Sequence, residues 1–185
     1  MLSKLKPNVE PCLNYSKSSI RSKLKLTRQI FHESNIELLT PEFYLSNYLP
    51  KLLPLLPADK LISLYLPINH ELDSTPFLDY FLLKNYSLSL PIVVQKSQPL
   101  LFRRYADSTQ LKKGHFNVLE PVDTEVVVPD VIILPLVGFS PKCHRIGYGG
   151  GYYDRTIELI KKEKSVRLIG LAFECQKIRK EDLGP

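Results

Sequence analysis

Hydrophobic positions along the chain follow two kinds of pattern. Short apolar runs bounded by proline and polar residues predict buried strands over 61–66, 92–94, 100–105, 126–128, 131–134 and 166–173. Apolar residues three and four positions apart predict helices over 41–48, 75–86 and 152–164, and a further helix that begins at Lys17. Strands that alternate with helices are typical of a mainly parallel sheet covered on both faces. The pattern therefore predicts a three-layer α/β/α fold with a Rossmann-like sheet in a single domain.

The same pattern gives the expected limits of this domain. Residues 1–16 have no clear periodicity and are expected to form a loose N-terminal extension, so that the domain covers 17–185. Residues 114–121 are expected to be irregular, because their apolar residues follow neither the helical nor the strand periodicity. The sequence contains no internal repeat and no linker that would divide the domain.

The first predicted helix has two different faces. Its apolar face consists of residues at helical spacing: Ile20, Leu24, Thr27 and Phe31. Another side carries cations about one turn apart: Lys17, Arg21, Lys25 and Arg28. Ser16 or Ser18 is expected to cap the helix. A charged stripe is usually a solvated face, but the absence of any acid between Lys17 and Glu33 leaves phosphate binding open.

Composition narrows the class of partner. The 185-residue chain has a formal net charge of +6, which suits one domain that binds anions such as a nucleotide, carboxylates or nucleic acid. Its three cysteines lack paired spacing and are expected to be free thiols. The leucine-rich stretch 49–66 contains three prolines and three charged residues, so it is not expected to span a membrane. We therefore expect a cytoplasmic protein without a membrane segment.

Half of the eight glycines lie within one segment, 145–154. The cluster could be only a flexible turn, but glycine also lets a ligand approach the backbone, and a loop that enters a helix N-terminus presents N–H groups to phosphate. Arg145 adds donors suited to phosphate oxygens. Asp154 is placed to hold a Mg²⁺ that bridges phosphates, although the helix dipole also favours an acid there.

Other motifs carry less information. The loop after the run 61–66 contains Glu71 and Asp73, and ligands bind in such loops of open α/β sheets, although surface acids are common. The four histidines lack metal-ligand spacing, and no G-x-S-x-G elbow is present. The glycine segment is not followed by Lys-Ser/Thr, and several residues separate it from the preceding strand. It therefore matches neither a Walker loop nor a Rossmann fingerprint.

Three segments taken in order resemble the 5-formyltetrahydrofolate cyclo-ligase (methenyltetrahydrofolate synthetase) family. The segments 131–139 (VIILPLVGF) and 145–154 (RIGYGGGYYD) are similar to its signature. The segment 64–67 (LYLP), with Glu71 and Asp73, is similar to its folate-contacting strand and loop. The segment 17–21 (KSSIR) matches the basic start of its first helix. Supporting similarity occurs at 90–94, 102–105 and 120–121, and the resemblance covers roughly 17–176.

This resemblance implies an enzyme that converts 5-formyltetrahydrofolate to 5,10-methenyltetrahydrofolate at the expense of ATP, with release of ADP and phosphate. The implied cofactors are ATP, as co-substrate, and Mg²⁺. The formyl oxygen would attack the γ-phosphate to give an N5-iminium phosphate, and N10 would then close the ring. The implied partner is the small-molecule folate rather than a nucleic acid or a membrane, and we expect a monomer.

The resemblance also implies roles for individual residues. ATP contacts are implied for Lys17, Ser18, Arg21, Arg145, Ile146, Gly147, Tyr148, Gly149, Gly150, Gly151, Tyr152 and Tyr153. Folate contacts are implied for Leu66, Glu71, Tyr148, Gly149 and Tyr152. Glu71 would accept hydrogen bonds from the pterin, and Asp154 would hold Mg²⁺.

The chain departs from the family pattern at several positions. Ser140 and Cys143 stand where the family often has Asp and Gly, and Asn117 stands where it often has Gly, although Asn tolerates positive φ. Family members continue past the run 166–173 with a segment that supplies a further acid near the metal, so the domain is expected to be truncated at its C-terminus. The alternative function is therefore a weakened homologue that binds folate or nucleotide without turnover. A basic nucleic-acid binder is a third possibility, motivated by charge alone.

Overall fold

A computed structural model describes residues 16–178 of the protein. Its helices are α1 (Lys17–Ser34), α2 (Pro41–Leu52), α3 (Thr75–Leu83) and α4 (Tyr152–Glu163). Its strands are β1 (Ile62–Ser63), β2 (Leu88–Ile92), β3 (Leu101–Tyr105), β4 (Leu111–Lys113), β5 (Leu119–Pro121), β6 (Val126–Val127), β7 (Val131–Pro135), β8 (Gly138–Phe139), β9 (Arg145–Ile146) and β10 (Arg167–Leu171). Three single 3₁₀ turns cover Leu53–Leu55, His115–Asn117 and Glu174–Gln176.

Six of these strands form the main sheet in the order β10-β7-β1-β2-β3-β6. The four strands from β10 to β2 are parallel to their neighbours, whereas β3 and β6 extend the sheet by antiparallel pairing. Two small hairpins, β4–β5 and β8–β9, stand apart from it. The predicted mainly parallel sheet within one α/β domain is confirmed.

Helices cover both faces of the sheet because successive residues of β7 point in opposite directions. Val131 and Ile133 belong to the largest core cluster, which also contains buried residues of α2 and α3. Ile132 and Leu134 belong to a separate cluster on the α4 side, where they pack with Ile160. The structure therefore has the predicted three layers, with α1 added at one end.

Ser16 caps α1, as one of the two predicted alternatives: its side chain accepts a hydrogen bond from the backbone N–H of Ser19 at 3.2 Å. Buried Ile20 and Leu24 attach this helix to Val137 and Ile178. The contact holds α1 beside the strands β8 and β9 that lead to the glycine-rich segment.

The strand boundaries differ from the sequence prediction near the centre of the sheet. Within 61–66 only the two residues of β1 pair with neighbours, and the second strand is β2 rather than 92–94. Ser63 and Ser89 are fully buried where these strands pair. The prediction of a strand over 92–94 was wrong because a buried serine between two leucines does not give a continuous apolar run.

Three further predictions were wrong outside the sheet. Residues 114–121, expected to be irregular, contain a 3₁₀ turn and the strand β5, which pairs with β4. The third helix ends at Leu83 rather than near residue 86, and Leu83 itself is 78% exposed. The second helix extends to Leu52, four residues beyond the predicted end, although it contains Pro50.

Membrane spanning was not expected from the sequence. Across residues 16–178, none of the helices has the length and apolar character needed to cross a bilayer. The predicted N-terminal extension over 1–16 lies almost entirely outside the described residues.

Candidate active site

A cavity of about 360 Å³ lies at the carboxyl ends of β1 and β7. Tyr65 and Leu66 form its wall after β1, and Pro135 forms its wall at the end of β7. The glycine segment 147–151 closes one side, and the turn between β4 and β5 closes another. Its position agrees with the rule that open α/β sheets bind ligands outside the carboxyl ends of their strands.

The glycine segment connects β9 to the first turn of α4. Gly149 and Gly151 have φ values of 102° and 67°, which side chains rarely adopt. A Cβ atom on Gly151 would also lie 2.6 Å from a guanidinium nitrogen of Arg155. Because α4 begins at Tyr152, directly after this loop, its free N–H groups and positive dipole end face the same region.

Guanidinium groups surround this loop. Arg21 donates through Nε to the carbonyl of Gly147 at 2.9 Å, and Arg155 donates through Nη2 to the carbonyl of Gly150 at 2.8 Å. Arg145 lies over the ring of Tyr153 at 5.7 Å. Positive charge from three elements therefore converges on bare main chain, which is an arrangement suited to an anion.

Arg145 forms an ion pair with Asp154. The Asp154 side chain is 71% exposed, so a cation could replace the guanidinium without burying a charge. Within residues 16–178, no cluster of three or more His, Cys, Asp or Glu side chains could hold a metal ion. Asp154 therefore fits only a Mg²⁺ site in which phosphates and water supply most of the metal ligands.

Glu71 is the buried acid of the cavity, with 4% of its surface exposed. Its Oε2 accepts from the Ile68 N–H at 2.9 Å, whereas Oε1 has no hydrogen-bond partner among residues 16–178. Burial raises the pKa of this carboxyl, although the Ile68 amide, the Tyr148 hydroxyl and the charge of Arg28 oppose the shift. An unpaired acceptor on a residue that lines a cavity is suited to a ligand with N–H donors.

Asp73, the other acid noted in this loop, has a local structural role. Its Oδ1 accepts from the N–H and the hydroxyl of Thr75 at 2.9 and 2.7 Å, at the start of α3. Asp73 is not among the residues that line the cavity.

Arg28 corrects the interpretation of the cationic stripe as a solvated face. It is only 1% exposed, so the last cation of the stripe lies inside the protein. It donates to the carbonyl oxygens of Leu136 at 3.2 Å and Asn69 at 2.7 Å, and also to the hydroxyl of Tyr148. Helical spacing placed Arg28 on the correct side of α1 but gave no sign of its burial.

Aromatic rings form the rest of the cavity wall. Tyr152 meets Phe116 edge to face, with ring centroids 5.9 Å apart, and both rings line the cavity. Burial, followed by the charge of Glu71, raises the pKa of both Tyr148 and Tyr153. Flat apolar faces beside a buried acid suit a ligand with a planar polar ring.

The structure brings together eleven of the sequence-predicted residues in this cavity: Leu66, Glu71, Arg145, Gly147, Tyr148, Gly149, Gly150, Gly151, Tyr152, Tyr153 and Asp154. Arg21 reaches the glycine loop without lining the cavity. Lys17 and Ser18 are exposed in the first turn of α1, and Ile146 packs toward Ile20 and Leu24. The binding roles of all these residues, inside and outside the cavity, remain predictions.

The sequence analysis gave no site role to Phe116 and Glu120, which line the cavity, and it named Arg28 only as a cation of the stripe on α1. Phe116 and Asn117 adopt φ values of 58° and 57°, and Cys143 adopts 60°. Asn117 and Cys143 stand where the family often has glycine, so positive φ at both positions is understandable. That family pattern was the available signal that the chain turns sharply beside Phe116.

Comparison with known proteins agrees with this geometry. The model of the 5-formyltetrahydrofolate cyclo-ligase family matches residues 14–181. A 5-formyltetrahydrofolate cyclo-ligase of Haemophilus influenzae is 34% identical over 64% of this chain and 66% of its own length. That of Escherichia coli K12 is 32% identical over 64% of this chain and 68% of its own length. The matched part thus spans about two thirds of each relative.

Solved structures give the same result. The NMR structure of Aquifex aeolicus 5,10-methenyltetrahydrofolate synthetase superposes with a TM-score of 0.69 and 32% identity, over 89% of this chain and 81% of that one. A 5,10-methenyltetrahydrofolate synthetase from Mycoplasma pneumoniae has a TM-score of 0.61 at 23% identity, over 89% of each chain, and supports the fold alone. The family model, the relatives and the fold agree with the resemblance in the sequence: the chain belongs to the 5-formyltetrahydrofolate cyclo-ligase family.

Proposed function

We propose that the protein catalyses the ATP-dependent conversion of 5-formyltetrahydrofolate to 5,10-methenyltetrahydrofolate, with release of ADP and phosphate. One observation carries the proposal: the glycine loop and Glu71, a carboxylate with one unpaired oxygen, line the same cavity. A phosphate chain on the loop and a pterin at Glu71 would therefore be neighbours. Family membership supports this choice of nucleotide and folate.

The chemistry requires the two substrates to meet in this way. The formyl oxygen attacks the γ-phosphorus, and the bond from that phosphorus to the ADP oxygen breaks. N10 then attacks the formyl carbon of the N5-iminium phosphate and loses its proton, while phosphate departs with the former formyl oxygen. The protein contributes mainly positioning and charge stabilisation, as in other phosphoryl transfers.

The nucleotide side of the cavity is assigned to the glycine loop and its cations. N–H groups of 147–151 and of the first turn of α4 bind the phosphates, together with the side chains of Arg21 and Arg145. Lys17 and Ser18 extend this role along α1. Mg²⁺ between the phosphates would be held by Asp154, where it would neutralise the charge that develops on the phosphate oxygens.

The folate side is assigned to Glu71 and its surroundings. The carboxylate accepts hydrogen bonds from the amino group and ring N–H of the pterin, which satisfies Oε1. Leu66, Tyr148 and Tyr152 contact the flat faces of the substrate. Gly149 has no side chain, so a substrate can approach the backbone closely there.

A spectrophotometric assay tests the proposal. Purified protein with 5-formyltetrahydrofolate, ATP and Mg²⁺ should produce methenyltetrahydrofolate absorbance, and omission of ATP should abolish the signal. The Glu71→Gln and Arg145→Ala variants control for contaminating activity, because each removes a contact to a different substrate. Absence of turnover in the wild-type protein would contradict the proposal.

A second candidate is a homologue that binds folate or nucleotide without turnover. The observation that favours it is the coverage of about two thirds of the relatives' length. Calorimetry separates the two functions, since tight binding of 5-formyltetrahydrofolate with zero turnover would indicate the binding protein. Absence of binding of both 5-formyltetrahydrofolate and ATP would exclude both functions.

A further inference from the structure

Arg28 is a buried cation without a buried anion in direct contact. It is 1% exposed, and no carboxylate of residues 16–178 lies within ion-pair distance of it. Its hydrogen-bond acceptors are two carbonyl oxygens and one phenol oxygen, and its Nε has no partner within the described residues. A charge in this position is costly unless an opposite charge nearby compensates for it.

Glu71 is a buried acid on which the charge of Arg28 acts, since it lowers the pKa of the Glu71 carboxyl against the effect of burial. The Tyr148 hydroxyl accepts a hydrogen bond from Arg28, and Tyr148 and Glu71 line the same cavity, where the hydroxyl lowers the pKa of the Glu71 carboxyl. Arg28 also binds the carbonyl of Asn69, two residues before Glu71. Asn69 and His70 both have positive φ, so this contact holds a turn that the backbone would otherwise disfavour.

We infer that Arg28 is a positioning residue for folate: through Tyr148 and the Asn69 carbonyl it keeps Glu71 ionised and fixed as the acceptor for the pterin donors. The inference rests on the proposed function and adds a residue to its folate site. The same Arg28 side chain also connects three parts of the site. Arg28 belongs to α1, Tyr148 belongs to the glycine loop, and Asn69 belongs to the loop that carries Glu71.

The direction of the pH effect follows from the groups around Glu71. These groups are Arg28 from α1, Tyr65 after β1, His70 beside it in the loop, Tyr148 from the glycine segment and Tyr153 from α4. Arg28 is the one permanent cation among them and lowers the pKa of Glu71 against the effect of burial. Folate binding that needs ionised Glu71 is complete above this pKa and is lost as pH falls through it.

Removal of the Arg28 charge should therefore move the loss of folate binding, which accompanies protonation of Glu71, to higher pH. Calorimetric titrations of 5-formyltetrahydrofolate between pH 5 and 9 would compare wild type with Arg28→Met and Arg28→Lys. We expect Arg28→Met to raise the midpoint of the loss by about one pH unit or more, with affinity recovering at high pH. Arg28→Lys keeps the charge and should shift the midpoint less. A loss of affinity by the same factor at every pH would contradict the inference.

Two controls keep the test decisive. In the Glu71→Gln background, Arg28→Met should produce no shift in the pH midpoint, because the titrating group is absent. Tyr148→Phe removes only the bridging hydroxyl, and carbon-13 NMR of the glutamate side chains should then show a higher pKa for Glu71 than in wild type. This NMR measurement needs no folate and does not depend on Arg28→Met folding. An unchanged Glu71 pKa in Tyr148→Phe would overturn the inference while leaving the proposed function untouched.

Discussion

The ion pair between Arg145 and Asp154 predicts that Asp154→Asn has opposite effects on nucleotide binding with and without metal. In the proposed complex Arg145 contacts a phosphate and Asp154 contacts Mg²⁺. The pair must therefore open before either contact forms. The substitution removes the competitor for Arg145 and, at the same time, the metal ligand.

The size of each effect follows from exposure. Asp154 is 71% exposed and Arg145 19%, and ion pairs of this kind contribute about 0.2–1 kcal/mol. Asp154→Asn should therefore raise the affinity for metal-free ATP by up to about fivefold. With Mg²⁺ present, loss of a contact to a charged group costs about 1.5–3 kcal/mol, so affinity should fall about ten- to a hundredfold.

Isothermal calorimetry with ATP in EDTA and in excess Mg²⁺ would measure both effects. Glu158→Gln is the matched control: it removes the same charge from an exposed position one turn further along α4, outside the cavity lining, and should change neither affinity. Weaker binding of metal-free ATP by Asp154→Asn would show that the ion pair supports the loop rather than competing with phosphate. Unchanged binding of Mg·ATP would remove Asp154 from the metal site.

Three other predictions test separate parts of the structure with four substitutions. Glu71→Gln should weaken the binding of 5-formyltetrahydrofolate by about 1.5–3 kcal/mol and leave the affinity for ATP unchanged. Equal losses of affinity for the two ligands in calorimetry would place Glu71 outside the pterin site. Gly149→Val should abolish ATP binding in the same assay because φ is 102° there, whereas retained affinity would mean that the loop is only a turn. Phe77→Ala should lower the urea-derived free energy of unfolding by about 3–5 kcal/mol because Phe77 is fully buried, while Leu83→Ala on the same helix, at a 78% exposed position, should change it by less than about 0.5 kcal/mol. Similar losses from these last two variants would contradict the core assignment.

The glycine loop was predictable because its causes are local. Glycine is chosen where φ is positive, and Gly149 and Gly151 have positive φ. The start of α4 at Tyr152 was predicted to the residue, because the run of glycines ends directly before it and apolar residues at helical spacing begin there. Such features depend on a few neighbouring residues, so one sequence contains the information needed.

The centre of the sheet was less predictable because its residues are selected by neighbouring strands. Ser63 lies beside Ser89 in the parallel pair of β1 and β2, and both are completely buried. Small polar side chains at this position allow close packing, but in the sequence they interrupt the apolar runs that identify strands. The boundaries of β1 and β2 therefore depended on a pairing between segments that are 26 residues apart.

The cationic stripe of α1 shows how tertiary structure decides between two interpretations of one pattern. Arg21 and Arg28 are seven residues apart, which is nearly two full turns, so they share one side of the helix about 10 Å apart. Arg21 contacts the Gly147 carbonyl, Lys25 lies 4.9 Å from the centre of the Tyr148 ring, and Arg28 binds its hydroxyl. A stripe that served only solubility would face water along its whole length. Three of its four cations contact Gly147 or Tyr148, the two residues that begin the glycine loop. The stripe therefore faces the site, and its positive charges act on the loop.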